Sequence, residues 1–125
     1  MLVKDFEELD VYQMALDLQH RVFEVTRSFP KEETYSLTDQ VRRSSRSIGA
    51  NIAEAWAKRR YEGHFLSKLS DSDAEQMETR HWLTTARRDG YICEGDCNKL
   101  RALCLRIGQM LGTMMANAGS WAAPF

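Results

Sequence analysis

Apolar residues recur every three or four positions along almost the whole chain, and four such stripes follow one another. The first is Val11, Met14, Ala15, Leu18, Val22, Val25 and Phe29, with Asp10 placed to cap its start and Pro30 to end it. Lys31-Glu32-Glu33 is a short polar connection. The second stripe is Leu37, Val41, Ser44/Ser45, Ile48, Ile52, Ala55 and Trp56; its middle is small, so a neighbouring backbone can approach there. Gly49 weakens that helix by about 1 kcal/mol relative to alanine and is a natural place for a bend. The third stripe starts with Phe65, Leu66 and Leu69, decays through Asp71, Asp73 and Gln76, and is restored by Met77, Trp82 and Leu83. Gly90 stands where a left-handed residue closes a helix. The fourth stripe, capped near Cys93, is Cys97, Leu100, Leu103, Cys104, Ile107, Leu111 and Met114. Gly108 and Gly112, four apart on it, permit close helix contact.

These stripes predict an all-α fold: an antiparallel up-down-up-down four-helix bundle forming a single domain over residues 1–125. The helices are expected at about 10–29, 36–59, 62–89 and 94–118, with a loosely held tail at 119–125. Pro occurs only at 30 and 124, which leaves long stretches free to stay helical. A chain of 125 residues can bury a core of its own without disulfides or a metal.

Charge changes the picture locally. The formal net charge is only −1, but residues 1–40 carry −5, residues 41–60 carry +5, residues 61–80 carry −3 and residues 81–125 carry +2. A basic block therefore lies between acidic ones. The N-terminus turns acidic at once, unlike a secretory signal. The charge-free stretch from Ile107 to Phe125 contains polar residues and three glycines, so it reads as a helix and tail and not as a membrane span. Three cysteines without a signal point to reduced thiols in a cytoplasmic protein.

The landmarks Val11-Tyr12-Gln13-Met14-Ala15, Ser28-Phe29-Pro30-Lys31-Glu32-Glu33, Tyr35-Ser36-Leu37-Thr38, Gln40-Val41-Arg42-Arg43-Ser44-Ser45 and Ser47-Ile48-Gly49-Ala50-Asn51-Ile52-Ala53-Glu54 fall in one order. Phe65-Leu66 and Gly90-Tyr91-Ile92 follow at matching distances. In this the chain, over about residues 6 to 116, resembles the four-helix-bundle family of 23S ribosomal RNA intervening-sequence proteins. That family is similar to the accessory variability proteins of diversity-generating retroelements, which form homopentamers and bind nucleic acid. The resemblance thus implies a homo-oligomer, with a pentamer favoured, and RNA or DNA as a partner. It brings no catalytic residues and no cofactor. Two departures stand out: Gly49 replaces a usual proline, and Asp71, Asp73, Gln76, Thr79 and Arg80 stand where the family's third helix is largely aliphatic.

The candidate nucleic-acid-binding set is Arg42, Arg43, Arg46, Lys58, Arg59 and Arg60. Arg42 and Arg46 are one turn apart, as phosphate contacts on a helix require. The alternative is internal use, with these groups paired to Asp71, Asp73, Glu75 and Glu78 of the third helix; the protein is then a homo-oligomeric or protein-partner module without nucleic-acid binding. Asn51 and Glu54 are expected to form a structural polar pair. A di-iron centre needs Glu-x-x-His on two helices and a carboxylate from each of the others. Glu78-x-x-His81 and Asp17-x-x-His20 with Glu54 leave that set incomplete on the fourth helix, so no metal is expected. Cys93, Cys97 and Cys104 fit small apolar packing better than zinc. Trp56 and Trp82 suit a core or a subunit contact, and Trp121 a meeting with another chain. No nucleophile, base or phosphate loop is placed for catalysis, and the expectation is a non-enzymatic scaffold.

Overall fold

The computed structural model describes residues 2–122. Four long helices, α1 (Asp10–Thr26), α2 (Leu37–Ala57), α3 (Glu62–Arg88) and α4 (Glu94–Ala116), are followed by a short α5 (Ala118–Ala122). Single 3-10 turns precede α1 at Phe6–Glu8 and α2 at Lys31–Glu33. Among the described residues there is no strand. Each long helix packs on the next in sequence, and α1 closes against α4, so that the four surround one core.

The helix ends follow from local chemistry. α1 begins after Leu9, so Asp10, expected as the cap, is instead its first residue, where the helix dipole favours a carboxylate. It stops at Thr26, short of Pro30. The N–H groups of Arg27 and Phe29 bond the carbonyls of Glu24 and Thr26, and the chain leaves the helix before the residue that proline disfavours there. At the end of α3, Gly90 takes φ +82°, the N–H of Tyr91 bonds Ala86 O at 2.9 Å and that of Gly90 bonds Arg87 O at 3.1 Å. This is a Schellman closure, and only a residue without Cβ adopts it cheaply. Cys93 caps α4, its Sγ accepting from the N–H of Asp96 at 3.4 Å.

The core holds the stripe residues, with Phe65, Leu18, Ile48, Ile52, Leu69, Leu83, Ile107 and Leu111 essentially without solvent contact. α2 runs unbroken through Gly49, on which the Tyr12 ring of α1 lies; a Cβ there would sit 3.4 Å from that ring, an ordinary van der Waals contact. The polar middle of α3 is partly core. Ser72, Gln76 and Thr79 are buried, whereas Met77, counted on the stripe, is 51% exposed. Buried hydroxyls need partners, and most have them. Ser72 Oγ donates to Ile48 O at 2.9 Å, Ser44 and Thr79 hydroxyls lie 2.9 Å apart, and Thr79 donates to Glu75 O. Gln76 Nε2 donates to Asp73 Oδ1 at 2.9 Å, but its Oε1 is sealed without a partner.

The small residues expected to admit a neighbour do so unequally. A Cβ on Gly108 would stand 2.8 Å from Gln76 Nε2, while one on Gly112 would meet open space. Only the first glycine is a close-contact position. The tail also differs from expectation. Where looseness was predicted from residue 119, the chain forms α5, buries Ala118 and sets Trp121 edge-on to Trp56, ring centroids 6.1 Å apart. The rest of that predicted tail, residues 123–125, lies outside the described residues.

Candidate nucleic-acid interface

The basic block of α2 divides into two groups. Lys58 lies twelve positions after Arg46, about 18 Å along the helix axis, so the six side chains do not make one patch. At the C-terminal end, Lys58 and Arg60 are exposed, and Arg59 lies 3.9 Å from the Trp56 ring centroid while donating to Trp56 O at 2.9 Å. That stack with Trp56 and Trp121 joins α2 to α5.

In the first group, Arg42 and Arg46 sit on the flank of α2 toward α1. Arg42 Nε donates to the buried Thr26 Oγ1 at 2.8 Å, and its guanidinium carbon is 4.9 Å from the Phe23 ring centroid. Arg27, which the sequence reading passed over, shares that ring at 5.8 Å. Its signal was the spacing of four from Phe23. Arg43 is exposed and makes only a loose 3.8 Å pair with Asp39 one turn earlier. Arg46 is exposed and borders a shallow groove of about 310 Å³ whose floor is Gly49, Ala50 and Ala53 and whose far wall includes Tyr12 and Leu16. Among the described residues Arg46 has no ion pair.

Pairing with α3 does not occur for Arg42, Arg43 or Arg46 among the described residues. The reason is angular. Ser44 and Ile48 face α3, and residues two positions away on an α-helix point about 200° around the axis. Arg42 and Arg46 therefore stand on the opposite flank. The carboxylates of α3 find other partners: Glu78 accepts from Trp82 Nε1 at 3.1 Å, Asp73 from Gln76, and Asp71 lies 4.0 Å from Lys68. Glu75 is partly buried near Glu78 and Asp71, and desolvation followed by those like charges raises its pKa.

Asn51 and Glu54 do not pair with each other. Asn51 Nδ2 donates to Ser47 O of its own helix at 2.9 Å, whereas Glu54 reaches across to Lys68 Nζ of α3 at 2.8 Å. The hydrogen bond and charge of Lys68 hold the Glu54 carboxyl below its ordinary range. Lys68 is raised reciprocally. All three cysteines are free thiols; Cys97 and Cys104 are buried and Cys93 is exposed. Burial pushes the Cys104 thiol up to about 12. Among the described residues no group of three or more His, Cys, Asp and Glu side chains could hold a metal ion. No helix there is long and apolar enough to cross a membrane.

Comparison with known proteins places this geometry. The model of the 23S rRNA-intervening sequence protein family matches residues 7–113. The chain belongs to that family. Among solved structures it is similar to a protein of unknown function of the S23 ribosomal protein family from Bacteroides thetaiotaomicron VPI-5482. The two share 26% identity with a TM-score of 0.76, over 84% of this chain and 97% of the other. No curated protein matches the chain. The chain shares the helical fold of that neighbour, and in it Ser72, Gln76 and Thr79 of α3 are buried.

Proposed function

We propose that this family member is a non-enzymatic, self-associating scaffold that touches the phosphates of RNA or DNA through α2. Arg43 and Arg46 make the contacts, and Arg42, anchored on Thr26 and Phe23, holds the flank that presents them. The observation that carries this reading is the orientation of that flank, which faces away from the carboxylates of α3. Each guanidinium that neutralises a phosphate releases counterion. One chain offers few such contacts, so assembly multiplies them into avidity. The reading adopts the antiparallel up-down-up-down order, a homo-oligomer with five subunits favoured, and a cytoplasmic setting. Lys58, Arg59 and Arg60 form a separate second group at the far end of α2.

The test is a salt titration of single-stranded RNA and duplex DNA binding, with light scattering on the same samples. Binding weakens as salt rises, and Arg43→Ala/Arg46→Ala flattens the log–log slope by about 0.7 per lost single-strand contact or about 0.9 for duplex. Absence of binding by the native protein at low salt removes the nucleic-acid reading. A second reading, a homo-oligomeric protein-partner module, is favoured by the groove beside Arg46, whose floor of Gly49, Ala50 and Ala53 admits another helix closely. Assembly that persists without any nucleic-acid affinity selects it.

A further inference from the structure

A second cationic feature, separate from the α2 arginines, lies in the seam between α3 and α4. Two contacts set the register of that seam. Cys97 Sγ donates to Leu83 O at 3.5 Å, and Gly108 stands against Gln76 and Asp73. Arg80 lies three residues before Leu83 and four after Gln76; Arg101 lies four after Cys97 and seven before Gly108. Both side chains therefore stand at one level of the seam, and the positive fields of both reach the buried Cys104 thiol. Two turns further along α3, Arg87 acts with Arg101 on Cys97.

These arginines are half-buried, and none has an ion pair among the described residues. The α3 carboxylate that stands against Gly108 in this seam, Asp73, is engaged by Gln76. The Nε atoms of Arg80 and Arg101 are sealed from solvent and have no acceptor. Native proteins seldom leave buried donors unmet, and like charges gathered in a seam repel. Met77 and Leu105, each one turn from these arginines, are half-exposed and apolar, which lowers the local polarity around the two charges.

We propose that the seam is an oxyanion site in which Arg80 and Arg101, from two helices, together take one phosphate group. Two forks carried at one level by different helices suit a tetrahedral group, whose oxygens can accept from both at once; a carboxylate's two oxygens are met by a single fork. A turn of each flexible side chain brings Nε and Nη to a group entering from the open side. The phosphate is that of a free oxyanion or of a nucleic-acid chain.

The experiment measures the melting temperature of the full chain against sodium phosphate at pH 7, with ionic strength held constant by chloride. The native protein shows a saturating rise, because a ligand that binds only the folded state stabilises it. Arg80→Gln and Arg101→Gln each need about tenfold more phosphate for the same rise, Arg101→Lys recovers part of the response, and Lys99→Gln leaves it intact. Circular dichroism at the start temperature verifies folding, and if one Gln variant is unfolded the other still decides. A single-stranded oligonucleotide without terminal phosphates that competes with phosphate assigns the site to a nucleic-acid backbone; failure to compete assigns it to a free or terminal phosphate. No saturable response in the native protein, or equal responses in the native protein and both Gln variants, overturns the proposal. So does stabilisation by a glutamate-rich peptide where phosphate has none, which makes the seam a docking surface for a protein.

Discussion

Replacing Arg42 with alanine separates an arginine that holds the bundle together from those that face solvent. The guanidinium donates from Nε to a buried threonine at 2.8 Å and lies 4.9 Å from the Phe23 centroid, both on α1. A hydrogen bond from a charged donor contributes about 1.5–3 kcal/mol, and a cation over a partly exposed ring about 0.5–1 kcal/mol. The two share one side chain and do not add fully. Thr26 keeps its own donor satisfied through Val22 O at 2.7 Å, so no donor is orphaned there. The expected loss is about 2 kcal/mol, near the lower end of the sum. For a chain of this size that lowers the melting temperature by about 8 °C. Arg46→Ala, which removes no ion pair, changes it by less than about 2 °C. Thermal unfolding followed by circular dichroism measures both, and a double-mutant cycle with Phe23→Leu isolates a coupling of about 0.5–1 kcal/mol. Equal melting temperatures for Arg42→Ala and the native protein, or an equal loss in Arg46→Ala, refute the division of labour on α2.

Further outcomes follow from the same geometry. Gly112→Ala, which meets open space, stabilises by about 1 kcal/mol, whereas Gly108→Ala presses on a sealed Gln76 and is the less stable of the two in denaturant titration. At pH 8, iodoacetamide labels Cys93 in the folded protein and all three cysteines after unfolding, because burial holds Cys97 and Cys104 protonated and out of reach; rapid native labelling of Cys104, read by mass spectrometry, contradicts the packing. The Glu54 carboxyl has a lowered pKa in the folded chain, so its contribution is full above the unfolded carboxylate range and is lost as pH falls through the folded value. Glu54→Gln therefore flattens the acid limb of the stability curve, and an unchanged limb shows that the Lys68 pair is idle.

The local readings succeeded where the governing physics is local. Helical periodicity identifies the faces that α1, α2 and α4 bury, because a side chain's angle on a helix depends only on its place in sequence. Gly90 was legible for a similar reason: the left-handed turn after α3 excludes most residues with a Cβ. On α3 the pattern misled. Met77 was taken for core and Gln76 for an anomaly, yet Gln76 is buried, because Gly108 on another helix opens room for it.

What the amino-acid sequence settled by itself was the helical stripes and the family. Which flank of each stripe meets which neighbour was decided only by tertiary packing. Arg42 and Arg46 could have faced α3; the packing order turned them toward α1, left Glu54 to Lys68, and brought Arg80 level with Arg101. Periodicity fixes angles about one axis, but the register and relative rotation of two axes depend on how side chains interlock across the interface. That information is shared between helices distant in sequence and is carried by no single segment.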